Sequence, residues 1–251
     1  MDFIEIPNLP QKPVCLAVVD GRISSAAQAT LERLGVVLLK TQRHPCLYEA
    51  VSFHPDMLLH HTGGNHIVHA PGIGFELAAS LMEAGFRLIC GETELAPVYP
   101  RDIAYNAARV GDFYFHNLKH TDPMLRKELE KAGAEPVHVE QGYTKCSIAI
   151  IDDSIIITSD AGIARAAGKK GIQALLIHPA QNILLPGLDS GFIGGATGLV
   201  GKNKLSVNGD TRLLQDYTSI YRFLSQKKCE LLSLSDLQVT DTGSIIPLMT
   251  L

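Results

Sequence analysis

Residues 145–177 read KCSIAIIDDSIIITSDAGIARAAGKKGIQALLI, and this stretch decides the fold. Its first half holds two β-branched runs on either side of an aspartate-rich turn, which predicts a hairpin whose strands are buried on at least one face. Asp160 then stands as the N-cap of an amphipathic helix, and Gly171 supplies the left-handed residue that ends it. Because IQALLI follows as a further apolar strand, the stretch predicts a unit of strand, strand, helix and strand.

The same unit recurs along the chain. Its helix and following strand reappear as SSAAQATLERLGVVLLK (24–40), GFELAASLMEAGFRLIC (74–90), DPMLRKELEKAGAEPVHV (122–139) and DTRLLQDYTSIYRFLSQKKCELLSLS (210–235). In these copies the place of Gly171 is taken by Gly35, Gly85, Gly133 and, in the last one, Cys229. A spacing of roughly 40 to 60 residues is typical of propellers and arrays. We therefore predict an α/β fold of five modules in a ring.

The first unit lacks an opening hairpin strand before CLAVVDGRI (15–23). The C-terminal run SIIPLMTL (244–251) is apolar and has no helix of its own to join, so we expect it to pair into the first module. This pairing leaves no orphan sheet edge, which favours a closed α/β propeller of ββαβ modules with pseudo-fivefold symmetry. The prediction is a single domain over 1–251, with modules at 13–41 plus 243–251, 47–91, 101–140, 143–178 and 190–236.

Composition argues against several classes of function. A net charge of -4 and a sequence pI near 6.2 give no electrostatic footprint for nucleic acid or an anionic membrane. No apolar run approaches the ~20 residues that span a bilayer, and residues 1–14 lack the parts of a signal peptide. The five cysteines are odd in number and form no CxxC pair, so neither a disulfide framework nor a structural zinc site is predicted. We expect a cytoplasmic protein without a cofactor.

The module order, the terminal strand and the phrase Gly-Phe-Ile-Gly-Gly at 191–195 make the chain resemble the pentein superfamily, the fold of guanidino-group modifying enzymes. In that superfamily five ββαβ modules surround a pseudo-fivefold axis. Its arginine deiminases, dimethylarginine hydrolases, agmatine deiminases and amidinotransferases attack a guanidinium carbon with a cysteine thiolate. A ribosome anti-association factor has the same fold without chemistry. The resemblance implies this fold and a small guanidino or amino-acid-like ligand.

Two catalytic elements implied by the resemblance are displaced or lost. The enzymes place the cysteine in the last strand, where this chain has Pro247 and Leu248, and the histidine in an HxD phrase of the fourth module, where it has Lys145-Cys146-Ser147. An HxD phrase does occur, as His54-Pro55-Asp56, but it opens the second module. The resemblance gives Asp56 the part of a carboxylate that grips the guanidinium. We expect a divergent pentein without terminal-cysteine hydrolysis, and whether it is an enzyme stays open.

Cys146 admits two interpretations. As a buried structural thiol, it fits the common burial of free cysteine. As a relocated nucleophile it would act with His54 and Asp56, and Lys145 would lower the pKa of the thiol if the two side chains faced each other. Both residues are predicted to lie in a first hairpin strand, where adjacent side chains point to opposite faces. This alternation favours the structural interpretation.

Polar side chains are predicted to line the axis. Alternation along a strand predicted over 50–61 puts His54, Asp56 and His60 on one face. Aligning the first strands makes His54 and Asp56 level with Lys145 and Ser147, and Asp56 level with Asn106. Asp189, just after the loop 179–188, is placed near the pore mouth as a further ligand-binding residue.

Mixed polar groups of both charge signs in a confined cleft suit a small zwitterionic or amino-acid-like ligand. A water-filled pore without function and a protein-binding ring are the alternatives to such a pocket. A metal site of histidine and carboxylate ligands is another, with His69 expected opposite Leu58 on the same face. No tight ligand spacing supports that site, so no metal is predicted.

Overall fold

The computed structural model describes residues 1–179 and 182–251. The described residues form five small β-sheets and seven α-helices. The strands are β1 (Asp2–Phe3), β2 (Val14–Val19), β3 (Val37–Lys40), β4 (Leu59–Gly63), β5 (His66–His69), β6 (Arg87–Cys90), β7 (Ala108–Val110), β8 (Phe113–His116), β9 (Glu135–His138), β10 (Ile148–Ile150), β11 (Ile155–Thr158), β12 (Gln173–Leu176), β13 (Thr197–Gly201), β14 (Lys204–Val207), β15 (Glu230–Ser233) and β16 (Ile246–Thr250). The helices are α1 (Ser25–Arg33), α2 (Pro55–Leu58), α3 (Phe75–Glu83), α4 (Pro123–Lys131), α5 (Thr144–Ser147), α6 (Ala161–Lys169) and α7 (Tyr217–Gln226), with 3₁₀ helices at Glu49–Val51 and Thr211–Leu213.

Four of the sheets have three strands and one arrangement. Their orders are β4-β5-β6, β7-β8-β9, β10-β11-β12 and β13-β14-β15. In each, the first two strands are antiparallel and the last two are parallel. One long helix joins the two parallel strands, because a parallel pair needs a crossover connection. The order strand, strand, helix and strand in each sheet matches the unit predicted from the sequence.

The C-terminal strand completes the first sheet. Its order is β1-β16-β2-β3, and β16 runs antiparallel to β2 with Ile246 opposite Val18 and Pro247 opposite Ala17. On its other side β16 pairs with β1, an edge strand that the sequence pattern does not indicate. The predicted pairing between the two ends of the chain is therefore confirmed.

The ends of α1, α4 and α6 follow their sequence signals, whereas α7 starts only at Tyr217, after the 3₁₀ helix that Asp210 caps. At the starts of α1, α4 and α6 the N-cap side chain accepts a hydrogen bond from the amide three residues further on: Ser24 from Ala27, Asp122 from Leu125 and Asp160 from Ile163. Left-handed glycines follow α1, α3, α4 and α6 at Gly35, Gly85, Gly133 and Gly171. The prediction that Cys229 takes this place after α7 is wrong, because the left-handed residue is Lys228, at φ 55°, and Cys229 is a buried residue beyond it.

The first hairpin strands begin later than predicted. The short helices α2 and α5 stand directly before β4 and β10, and Asn106 precedes β7. A strand over 50–61 is therefore a wrong prediction, and the alternation argument for His54, Asp56 and His60 fails with it. Pro55 stands in the first turn of α2, where its fixed φ and missing N–H suit a helix start rather than a strand interior.

In each sheet the two hairpin strands are more deeply buried than the strand that follows the long helix. Every residue of β10 and β11 is buried, whereas β12 is exposed at both of its ends. The long helices cover the sheets with pairs of buried residues one turn apart, such as Leu125 and Leu129 of α4. The first hairpin strands therefore lie deepest, and so do the turns that precede them. None of the described helices has the length and apolar character needed to cross a bilayer.

Candidate functional site

Three turns that precede buried hairpin strands bring polar side chains together. Asp56 lies in α2, Lys145 lies in α5, and Ser244 comes just before β16. Ser244 Oγ lies 2.8 Å from Asp56 Oδ2, and Lys145 Nζ donates to Ser244 Oγ at 2.8 Å. With the side chains around them, these residues form what we call the polar cluster: Asp20, His54, Asp56, Asn106, Lys145, Cys146, Asp241 and Ser244, all of them buried.

Cys146 belongs to this cluster. Its thiol donates to Asp56 Oδ2 at 3.2 Å. Asn106 holds α2 and α5 together, because its Nδ2 donates to the Asp56 carbonyl at 3.1 Å and its Oδ1 accepts from the Lys145 amide at 2.9 Å. Since α5 is a helical turn, Lys145 and Cys146 do not alternate as they would in a strand. The thiol reaches the Asp56 carboxylate directly, and the ammonium reaches it through Ser244.

His54 stands between two carboxylates. Its Nε2 is 3.9 Å from Asp20 Oδ2, and its Nδ1 is 3.9 Å from Asp241 Oδ1. Among the described residues, neither ring nitrogen has a hydrogen-bond partner, and neither does Asp56 Oδ1. Gly243, at φ 68°, packs its backbone against the ring, since a Cβ there would come within 2.3 Å of His54 Cβ. The imidazole is fixed in place by packing while its polar atoms stay unsatisfied.

The sequence does not single out Asp20 and Asp241. Asp20 forms an ion pair with Arg22, whose Nη2 lies 2.8 Å from Asp20 Oδ2. Asp241 accepts hydrogen bonds from the backbone amides of Phe192 and Gly243, at 2.8 and 3.0 Å. Asp241 lies in the turn before β16, and the turn before the equivalent strand of the second module carries His54 and Asp56. A comparison of these two turns would have indicated Asp241.

Burial determines the protonation of the cluster. It raises the pKa of Asp56, and it raises the pKa of Asp241 to about 7. It lowers the pKa of Lys145, and it lowers the pKa of His54 to about 3. Burial also raises the pKa of the Cys146 thiol well above 9.0, and the nearby Asp56 carboxylate adds to that shift. At neutral pH the cluster therefore contains an uncharged imidazole and a protonated thiol.

The other predicted site residues have different surroundings. His60 is buried and lines a cavity of about 10 Å³ together with Asp56 and Lys145. That volume is about what one water molecule needs. Ser147 Oγ donates to the Tyr143 carbonyl within its own helical turn, at 2.7 Å. Asp189 is exposed and so lies outside the buried cluster, and residues 180 and 181 of the loop before it lie outside the described residues.

The ladder register corrects the predicted alignment of the modules. Leu59 is opposite His69, the last residue of β5, and Ile148 is opposite Thr158, the last residue of β11. Asp56 is therefore level with Lys145, two residues away from the predicted match with Ser147. The prediction that His69 lies opposite Leu58 is also wrong, because Gly63 pairs with His66 around a two-residue turn and His69 comes to lie opposite Leu59.

Aromatic side chains adjoin the start of α5. The Tyr143 ring packs between those of Tyr99 and Phe192, at centroid distances of 5.8 and 6.2 Å. The Tyr143 hydroxyl donates to Asp102 Oδ2 at 2.5 Å and lies 3.3 Å from the hydroxyl of Tyr48. Any movement of the turn that carries Lys145 and Cys146 would disturb these contacts.

One family model covers most of the chain. The model of a family described as "Family of unknown function (DUF6873)" matches residues 18–246. No curated protein matches the chain.

Solved structures of similar fold include three enzymes. An inosamine-phosphate amidinotransferase of Streptomyces griseus is 12% identical, with a TM-score of 0.61 over 100% of this chain and 97% of that one. An agmatine deiminase of C. jejuni is 10% identical, with a TM-score of 0.56 over 93% and 90%. A cysteine-to-serine mutant of Pseudomonas aeruginosa DDAH, complexed with citrulline, is 10% identical, with a TM-score of 0.52 over 89% and 93%. All three are penteins, so the predicted resemblance to that superfamily is confirmed for the fold.

Proposed function

This chain belongs to the family of unknown function DUF6873, and we propose that it binds a small cationic ligand, of guanidino or amino-acid-like type, at the polar cluster. The observation that carries the proposal is an excess of buried carboxylates. Three of them, Asp20, Asp56 and Asp241, belong to the cluster, whereas Lys145 is its one cationic member among the described residues, and Arg22 pairs with Asp20 from the edge of the cluster. Burial raises the pKa of Asp56 and of Asp241, and a cation bound beside these carboxyls would offset that shift by pairing with their charged form.

Unsatisfied atoms support the same proposal. Asp56 Oδ1 and both nitrogens of His54 are buried without hydrogen-bond partners among the described residues. A guanidinium is a planar cation with several N–H donors, and it pairs well with carboxylates. Structures with this fold hold citrulline or a bound substrate of agmatine deiminase, which are guanidino compounds or their ureido products. The chemistry of the donors and the fold therefore point to the same class of ligand.

The polar cluster leaves little free space around Lys145. The adjoining cavity of about 10 Å³ is too small for a guanidinium, so the ligand must displace something. Lys145 is the natural group to move, because its long side chain places an ammonium next to Ser244 and Asp56. We therefore place the ligand cation where Lys145 Nζ now lies, with the turn of α5 opening at Tyr143.

The five sheets provide the frame for this site. We propose that they close into a ring of five modules in one domain over 1–251, as predicted from the sequence. The pairing of β16 with β2 supports this, and so does the meeting of Asp56, Lys145 and Ser244, which lie in the turns before strands of three different sheets. The predicted cytoplasmic location stays a prediction.

Ligand binding is expected to raise the melting temperature. At a hundredfold excess over Kd, a ligand stabilises the folded state by about 2.7 kcal/mol, which is about 5–10 °C for a chain of this size. We would test arginine, agmatine, citrulline and methylguanidine in the presence of a chelator, with Asp56→Asn as the site variant and the exposed Asp236→Asn as its control. The shift should vanish in Asp56→Asn alone. A flat response of the wild-type protein to all four compounds would contradict the proposal.

Amidino transfer by Cys146 is a second candidate function. The observation that favours it is the convergence of His54, Asp56 and Cys146, whose polar atoms lie within 4.8 Å of one another. Catalytically active penteins have an HxD phrase in the fourth module. Their nucleophilic thiol is in the strand that completes the first module, two modules further round the ring. In this chain the HxD phrase is in the second module and Cys146 in the fourth, again two modules further round. The constellation keeps its internal spacing and is rotated about the axis.

The reaction would follow from ligand binding. A guanidinium beside Cys146 favours the thiolate, because an opposite charge offsets the effect of burial on the thiol pKa. The sulfur then bonds to the guanidinium carbon, the leaving amine departs with a proton, and water or an acceptor amine breaks the carbon–sulfur bond. His54 is the group placed to carry protons between these steps.

Turnover is expected to depend on Cys146. Each guanidino compound would be incubated with the protein, and the ureido product and released amine would be quantified by mass spectrometry. Cys146→Ser should abolish product formation, while Cys229→Ser, at a buried cysteine beside β15, should retain it. Equal turnover in the two variants would rule out Cys146 as the nucleophile. Absence of turnover in the wild-type protein would leave ligand binding as the function.

A further inference from the structure

We infer that His54, Asp56 and Cys146 form a binding site for a transition metal ion, with Zn²⁺ as the best match. Their potential ligand atoms all lie within 4.8 Å of one another, and the three side chains are buried. Within residues 1–179 and 182–251, they are the group of at least three His, Cys and acidic side chains that is compact enough to share one ion. They come from the turns before β4 and β10, so the fold itself brings them together.

The donor set fits zinc. Zn²⁺ binds thiolate, imidazole and carboxylate ligands, at about 2.3 Å to sulfur and about 2.0 Å to nitrogen or oxygen. Tetrahedral geometry with those bond lengths puts neighbouring ligand atoms about 3.5 Å apart. Cys146 Sγ and Asp56 Oδ2 are already 3.2 Å apart, so this pair needs almost no rearrangement. A thiolate and an imidazole together disfavour Mg²⁺ and Ca²⁺, which prefer oxygen ligands.

The unsatisfied atoms of the cluster provide an independent argument. Both ring nitrogens of His54 and Asp56 Oδ1 are fully buried and lack hydrogen-bond partners among the described residues. Such orphaned groups are rare in folded proteins and often mark a missing ion or water. A bound ion would satisfy one nitrogen of His54 and an oxygen of Asp56 at once.

The surroundings of His54 also match those of a metal ligand. Histidines that bind metals usually present their other ring nitrogen to a carboxylate or carbonyl. Here Asp20 lies 3.9 Å from Nε2, and Asp241 lies 3.9 Å from Nδ1. Whichever nitrogen binds the ion, the other one faces a carboxylate. In either orientation the free nitrogen has a carboxylate 3.9 Å away, which is near the ring but beyond hydrogen-bond distance.

The charges balance when the metal binds. Zn²⁺ displaces the thiol proton of Cys146, so the ion, the thiolate and the Asp56 carboxylate sum to zero, and one proton is released to solvent. This inference does not rest on the guanidino proposal, although a metal ion and a guanidinium would compete for Asp56. The metal experiment below contains no guanidino compound, and the thermal-shift experiment contains a chelator. Either proposal can therefore fail without the other.

Cobalt substitution tests the site on the full chain. Co²⁺ replaces Zn²⁺ in such sites and gives a near-ultraviolet thiolate-to-metal charge-transfer band. We expect the band when Co²⁺ is added to the wild-type protein after chelator treatment, and we expect Zn²⁺ to remove it by displacement. Cys229→Ser should keep the band and Cys146→Ser should lose it. Absence of the band in the wild-type protein overturns the inference regardless of how any variant folds, and so does a band of equal intensity in Cys146→Ser.

A second measurement assigns the carboxylate ligand. Asp56→Asn should weaken Zn²⁺ binding at least about tenfold, because even outer-shell changes at zinc sites cost 10–100-fold in affinity. The exposed Asp236→Asn is the matched control and should bind Zn²⁺ as the wild-type protein does. Zn²⁺ affinity would be measured by competition with a chromophoric chelator, and circular dichroism would confirm that each variant is folded. Unchanged affinity in folded Asp56→Asn would remove Asp56 from the site and overturn the three-ligand assignment.

Discussion

Acidification from pH 7 to pH 5 is expected to lower the free energy of unfolding by several kcal/mol. Four buried histidines carry the effect. Burial lowers the pKa of His54 and of His60 to about 3, and it lowers the pKa of His61 and of His116 to about 4. In the unfolded chain each titrates near its ordinary value of 6.5. Between these values the unfolded state binds the proton first, so stability is intact above pH 6.5 and falls as the pH drops towards 4.

The size of the effect follows from the same linkage. A group that is protonated only in the unfolded state contributes about 1.4 kcal/mol per pH unit, so each histidine accounts for about 2 kcal/mol between pH 6.5 and 5. Asp241 acts in the opposite sense, because burial raises its pKa to about 7 and its protonation stabilises the folded state as the pH falls. Asp56, whose pKa burial also raises, does the same. The net loss is about 3–6 kcal/mol, which is a large part of the stability of an ordinary domain.

Urea unfolding at a series of pH values measures this loss. His60→Gln removes one buried titrating group, so its free energy of unfolding should depend less steeply on pH between 6.5 and 5 than that of the wild-type protein. His138→Gln is the control, since His138 is exposed and the pH dependence should stay as in the wild-type protein. A free energy of unfolding that stays constant from pH 8 to pH 5 would contradict the account of the four histidines.

Local signals in the sequence predicted most of the fold. Asp122 and Asp160 act as N-caps, Gly133 and Gly171 end the helices, and β-branched apolar runs form the hairpin of β10 and β11. The pairing of β16 with β2 was predictable as well, because an apolar strand with no other partner must be covered. The left-handed residue after α7 was harder to predict, because it is Lys228, whereas glycine is the usual residue at this position.

The site was harder to predict because it lies in the turns and not in the strands. Their residue types and the family resemblance point to His54, Asp56 and Cys146, and the structure brings these three residues together. The geometry expected for them was wrong, because Pro55 starts a helical turn where a strand was predicted. A helix of one turn is too short to show a periodic pattern in the sequence. The observed alignment of the second and fourth modules differs from the predicted one by two residues, which makes Lys145 level with Asp56.

Lys145→Met is expected to destabilise the protein by about 3–5 kcal/mol, because it removes one of two buried opposite charges that are bridged by the Ser244 hydroxyl and leaves the other uncompensated. Lys145 Nζ donates to Ser244 Oγ, which is also 2.8 Å from Asp56 Oδ2, and all three residues are buried. Without the ammonium, Asp56 and Asp241 would repel each other in a medium of low dielectric. Asp56 would then take up a proton, so the loss should be larger at pH 8 than at pH 6. When the folded-state pKa of Asp56 lies above its unfolded value, the protein loses stability as the pH rises through the folded-state pKa.

A double-mutant cycle separates this charge effect from simple loss of packing. Asp56→Leu alone leaves the Lys145 ammonium unpaired, whereas the double variant removes both charges and should cost less than the sum of the two single variants by about 1–3 kcal/mol. Lys204→Met serves as the control, because Lys204 pairs with Glu230 near the surface and such pairs contribute about 1 kcal/mol or less. Strict additivity, measured by urea unfolding at pH 8, would mean that Lys145 acts only through its packing. In that case the cluster would hold no charge that a ligand cation could replace.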